Sequence, residues 1–252
     1  NVGAPETTRS SALSKLADSD DMAVKRSVAK NPLTPPAVLE SLAKNEDPRL
    51  LGSIVKNPAT PSHTLDHLAK NKDWGIRCGV AENHSTPPSA LLVLSKDTDA
   101  FGGEYIRKAV AGNPATPASA LKFLIKEKDW QTRSAVAKNM GTPKDLLEIL
   151  ALDKEYSVRE SVAKNSSAAP SALAILSTDQ KDNIKMFVAK NSNASADTLI
   201  RLSVDPYFAT RREVASNAAT PTAVLKVLLN DTDQQVRTAA DKSLGLLKGG
   251  HE

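Results

Sequence analysis

The residues best equipped for chemistry recur at a fixed interval along this 252-residue chain. A basic side chain stands at Lys25, Arg77, Arg107, Arg133, Arg159, Lys185, Arg211 and Arg237. Acids precede several of them by four residues, at Asp21, Asp73, Asp129, Glu155 and Asp233. On a helix that spacing makes an i,i+4 ion pair and also sets the acid where it can cap the helix start, each pair being worth roughly a few tenths of a kcal/mol. Matched in this way, the column is a structural charge ladder. Arg107 and Arg211 lack the acid and are the freer candidates for holding a phosphate or carboxylate. One position after the acid come rings: Trp74, Trp130, Tyr156 and Phe208, with Tyr105 near the equivalent place. Aromatics make up only 4% of the chain, so both tryptophans falling in one column points either to a groove of binding hot spots or to packing over the neighbouring copy.

Other reactive types do not assemble. His63 and His67 have a spacing that can bind a metal, but no third ligand lies near them, His84 replaces a proline, and His251 is in the tail. Cys78 is the single cysteine, which excludes an internal disulfide and any multi-cysteine metal or iron–sulfur site; it reads as an incidental surface thiol. The sequence contains no nucleophile motif, glycine-rich phosphate loop or unexplained carboxylate pair, so no enzyme activity, cofactor, metal or small-molecule substrate is expected.

The elements that must position these columns follow from the repeat itself. Asn31, Asn57, Asn83, Asn113, Asn139, Asn165, Asn191 and Asn217 are separated by 26 residues, except for 30 between Asn83 and Asn113. A fixed period of this size is the mark of a stacked array. After the Asn comes Thr-Pro in six copies, from Thr34-Pro35 to Thr220-Pro221. Thr is expected to accept from free amides at a helix start and Pro to open the helix, here called helix A. Leucines eight and eleven positions after each Asn, such as Leu65 and Leu68, share one helical face. A second helix, B, carries apolar pairs such as Ile76 with Val80 and Val158 with Val162, and is expected to be shorter and partly 3-10. Ala29, Ala81, Ala111, Ala137, Ala163, Ala189 and Ala215 form a small-residue column that suits close approach of neighbouring backbones, and the Asn column suits a cap in the left-handed conformation.

The expected fold is therefore all-α: a right-handed solenoid of about nine two-helix repeats, in one repeat domain over 1–252. Residues 5–30, with Leu13 and Leu16 in its helix A, form an N-terminal capping repeat, 31–216 the central repeats, and 217–252 the C-terminal repeat and tail. The extra residues fall near 100–105, where Phe101, Gly102, Gly103 and Tyr105 read as a bulged loop before helix B. Thr-Pro is lost at Ala168-Ala169 and Ala194-Ser195, where weaker helix starts are expected.

The phrase in "VAKNPLTPPAVLESLAKNEDP" and "VAENHSTPPSALLVLSKDTD" resembles the leucine-rich repeat variant family of bacteria, over nearly the whole chain. The resemblance implies a right-handed superhelix of alternating α- and 3-10 helices. Some members of that family carry an iron–sulfur cluster on N-terminal cysteines; with no cysteine before Cys78, that feature does not transfer.

A formal net charge of +4 is well short of a dedicated nucleic-acid binder. No apolar run is long enough to span a bilayer and no signal peptide is evident, which makes a cytoplasmic location the expectation. Regular repeats without catalytic motifs predict a scaffold presenting a concave surface to a protein or peptide. Its candidate contacts are Trp74, Trp130, Tyr156, Phe208, Arg107, Arg211, Phe101 and Tyr105. The alternative is a nucleic-acid-binding solenoid that uses the basic column with rings for stacking. An enzyme site built from the Phe101–Tyr105 insert ranks last.

Overall fold

The computed structural model describes residues 6–249, with side chains described for 10–245. Eighteen α-helices and no strand occur among the described residues. They fall into two compact units divided between Thr132 and Arg133, each a stack of helix pairs.

In the first unit α1 (Glu6–Ala17) leads into alternating B and A helices. The B helices are α2 (Met22–Lys30), α4 (Pro48–Val55), α6 (Trp74–Glu82) and α8 (Gly103–Gly112), and the A helices are α3 (Pro36–Leu42), α5 (Ser62–Leu68), α7 (Pro88–Leu94) and α9 (Ala118–Leu124). After α10 (Trp130–Lys138), which spans the division, the second unit continues the alternation. Its A helices are α11 (Lys144–Leu150), α13 (Pro170–Leu176), α15 (Ala196–Leu202) and α17 (Thr222–Leu228); its B helices are α12 (Tyr156–Lys164), α14 (Asp182–Lys190), α16 (Phe208–Ser216) and the long α18 (Gln234–Gly249). Within each unit successive B helices pack on one another, and A helices pack on the B helices beside them.

The leucine pairs of helix A, from Leu39 and Leu42 to Leu225 and Leu228, are all buried, as are the B-helix pairs Ile76–Val80, Ile106–Val110, Val158–Val162 and Ile184–Val188. Each such side chain contributes about 1.5–3 kcal/mol when removed from water. Val24 is only half-buried and Leu16 is half exposed, because α1 and α2 meet fewer neighbouring helices than the central repeats do. The relative lengths are the reverse of expectation: from α2 to α17 each helix A has seven residues and each helix B eight to ten, α throughout. Pro explains the difference, since helix A begins only after the Pro that closes the preceding turn.

Three polar devices bind one repeat to the next. The first is the Asn column. Asn83 Nδ2 donates to the carbonyls of Val55 at 2.7 Å and Asn57 at 3.0 Å in the preceding repeat, while its Oδ1 accepts from the Ser85 amide. Asn57, Asn113, Asn165, Asn191 and Asn217 repeat the pattern, and Ser243 takes over the reach to Ala215 at the last turn. These residues have φ near −75° and ψ near 120°, and no described non-glycine residue has positive φ, so the column is an extended-backbone ladder rather than a left-handed cap. The buried Ala column supplies carbonyls to this ladder. Val55 occupies the Ala position in one repeat, and Gly79 opposite leaves the room its side chain needs.

The second device is the Thr hydroxyl, which donates backwards instead of capping helix A. Thr34, Thr60, Thr86, Thr116, Thr142 and Thr220 reach the carbonyl six residues earlier, at the end of helix B, at 2.5–2.6 Å. Helix A starts on Pro without a side-chain cap. At the two copies lacking Thr, Pro170 at the first helical turn and the Ser195 hydroxyl, which accepts from the Thr198 amide, maintain the start. What Ala168 and Ala194 lose is the tie to helix B.

Candidate docking surfaces

The basic column is the third device. Six of its eight bases, Arg77 to Arg211, reach forward 20 residues to an acid in the next loop, not back four to the acid on their own helix. Arg77 Nε meets Asp97 at 2.7 Å, Arg133 meets Asp153 at 2.6 Å, Arg159 meets Asp179 at 2.6 Å and Lys185 meets Asp205 at 2.6 Å. Arg211 meets Asp231 at 2.7 Å and Arg107 meets Glu127 at 3.2 Å. Arg77, Arg159, Arg211 and Arg237 also donate to the loop carbonyl six residues behind them, at 2.7–2.8 Å. The acids at i−4 serve instead as helix caps: Asp21, Asp73, Asp129 and Asp233 accept from amides of their own first turn, whereas Glu155 makes no such cap.

Arg107 and Arg211 are therefore not free. Their partners, Glu127 and Asp231, belong to an acidic column 14 positions after the Asn that sequence reading missed, although its 20-residue offset from the bases is visible once the copies are stacked. The contacts shift titration. Arg211 beside Asp231 holds that carboxyl below the ordinary range. Burial pushes Asp153 up, but hydrogen bonds from Arg133 and the Glu155 amide outweigh it and leave this acid lowered as well.

The rings are arranged differently in the two units. In the first, Trp74 opens α6 and stacks on Tyr105 with ring centroids 6.0 Å apart and planes at 26°. The insert makes this possible: Asp99 accepts from the amides of Phe101 and Gly102 and pairs with Arg77, while Gly102 lies so close to the Trp74 ring that any side chain there would collide with it. Phe101 is 84% exposed and Tyr105 62%, with Trp74 at 40%. Trp130 opens α10 with its ring exposed, apart from this cluster in the chain by a whole repeat.

In the second unit Tyr156 lines a groove with Lys181, Asp182, Asn183 and Tyr207, a ring not singled out from the sequence. Phe208 is half-buried and meets Tyr207 edge-on at 5.6 Å. In the first unit the predicted column thus brings Trp74 and Tyr105 together as an exposed, stacked pair. His63 contacts Glu40 at 3.2 Å, and no three potential metal ligands converge among the described residues. Burial pushes the Cys78 thiol up, with Glu82 adding to the effect. No described helix is long and apolar enough to cross a membrane.

No family model and no curated protein matches the chain. Among solved structures it is similar to a leucine-rich repeat variant, at 23% identity over 80% of this chain and 88% of that one, with a TM-score of 0.39. It is also similar to an engineered protein, at 17% identity over 94% and 88% of the two chains and a TM-score of 0.45. A third similarity is to human deoxyhypusine hydroxylase in complex with glycerol, at 14% identity over 97% of both chains and a TM-score of 0.35.

Proposed function

We propose that this chain is a non-enzymatic binding scaffold whose partner is a protein or peptide, docked at the start of the B helices in the first unit. One observation carries the reading: the exposed, stacked pair of Trp74 and Tyr105, with exposed Phe101 next to the Gly102 that abuts Trp74, sits where the repeat is broken. Neither the leucine core nor the polar ladders require it. Large exposed rings held on a rigid base lose little entropy on binding and are the usual anchors of interfaces. The nucleic-acid reading loses support, because the bases it invoked are bound to acids of the next repeat.

Selection of a random peptide library against the folded chain tests this. Selected peptides are expected to bind the double variant Trp74→Ala, Phe101→Ala about tenfold or more weakly. Unchanged affinity in a folded double variant, or failure to select any peptide, would remove the reading.

A further inference from the structure

A groove of about 510 Å³ runs between α4 and α6, one residue along from Trp74. Its floor exists because two successive B helices lack side chains there. Gly52 stands where the other copies carry Arg26, Cys78, Lys108 or Ser134, and Gly75 where they carry Arg49, Tyr105 or Gln131. Lys30, Arg49 and Lys56 line the groove, all exposed and with no ion pair. This sets them apart from the basic column between Arg77 and Arg211, whose charges are paired with acids of the next repeat. One acid faces them, Asp73, and one of its oxygens is engaged by the Gly75 amide.

We propose that this groove binds an acidic stretch of the partner protein, carboxylates among Lys30, Arg49 and Lys56, with a following apolar residue on the Trp74 ledge. Charge complementarity selects the occupant: three unpaired cations converge on a trough that is emptied of side chains. A peptide fits better than a nucleic acid, which gains affinity from a long line of phosphate contacts. Here the cations form one short cluster with a carboxylate in its wall. The proposal rests on the scaffold reading and names the partner of the same surface.

The probe is a fluorescein-labelled peptide of four glutamates followed by Gly, Phe and Leu, titrated by fluorescence anisotropy at low salt against the full chain. A glutamine version and a single-stranded oligonucleotide serve as competitors. Gly52→Leu fills the groove without altering its charge, and a Cβ there meets only Ile76 at 3.9 Å, so the fold should be retained. Binding to the glutamate peptide alone, weakened about tenfold or more by Gly52→Leu and by Lys30→Glu with Lys56→Glu, is the expected result. No binding by the wild-type chain, full affinity in Gly52→Leu, or stronger binding of the oligonucleotide would each overturn it. Gly52→Leu leaves the rings in place, so the groove and the aromatic anchor fail separately: Trp74→Ala with Phe101→Ala reports on the anchor.

Discussion

At the scale of single residues, the Asn column shows what a sequence reveals and what it hides. Its periodicity is plain, and so is a structural role, but the conformation is not. The acceptors of Asn57, Asn83, Asn165, Asn191 and Asn217 lie in the preceding repeat, 26 and 28 positions away, and those of Asn113 lie 30 and 32 away across the insert, so no local rule indicates them. Asn83→Ala takes from the Val55 carbonyl its donor in the next repeat and leaves the Asn57 carbonyl with only the Thr60 amide, and it should cost about 2–3 kcal/mol in urea denaturation. Among the described residues Asn31 keeps only the bond from the Leu33 amide, at an exposed turn, so Asn31→Ala should cost less than about 1 kcal/mol. Equal costs would show that the inter-repeat bonds contribute nothing. The Val55 and Gly79 pair offers a sharper test of close packing. Gly79→Ala should destabilise by about 1–3 kcal/mol alone, and much less when combined with Val55→Ala, which restores the residue found in the other copies.

At the scale of helices, the apolar pattern was legible and the boundaries were not. Leucines three apart locate helix A in every copy, because burial of that face outweighs local propensity. The Thr-Pro pair pointed to the correct junction, but the Thr hydroxyl serves the helix that ends there, and so helix A proved the shorter of the two. The two copies without Thr therefore have spare bonding capacity. Ala168→Thr should recover a bond to the Val162 carbonyl and stabilise by about 0.5–1.5 kcal/mol, read as a raised midpoint of denaturation. A lower midpoint would mean that the turn has closed around alanine. The inter-repeat pairs also make the stack sensitive to acid. Asp231 and Asp153 titrate below their unfolded values, so they contribute stability that is complete above about pH 4 and is lost as pH falls through their lower folded values. Thermal melts from pH 7 to pH 2 should show this loss. Asp231→Asn should lower the melting temperature at pH 7 and flatten the acid limb.

At the scale of the whole molecule, the period fixed the class of fold, while the allocation of charge could be seen only when repeats were placed beside one another. Arg107 and Arg211 looked free because partners were sought within one helix, whereas the stack supplies them from the following loop. The rings were legible as a column, yet only the insert's glycine and Asp99 convert one of them into an exposed cluster. This division of charge leads to a test that needs no mutation. The ladder ions are largely shielded and hydrogen-bonded, so salt should screen them weakly, whereas Lys30, Arg49 and Lys56 face water. Raising NaCl from about 0.05 M to about 0.5 M shrinks the Debye length severalfold and should leave the melting temperature within about 3 °C. Affinity for the glutamate peptide should fall about tenfold or more over the same range. A melting temperature that collapses in parallel with binding would show that the ladder, too, is an exposed surface feature, and that the chain does not separate the charges that hold it together from those that meet a partner.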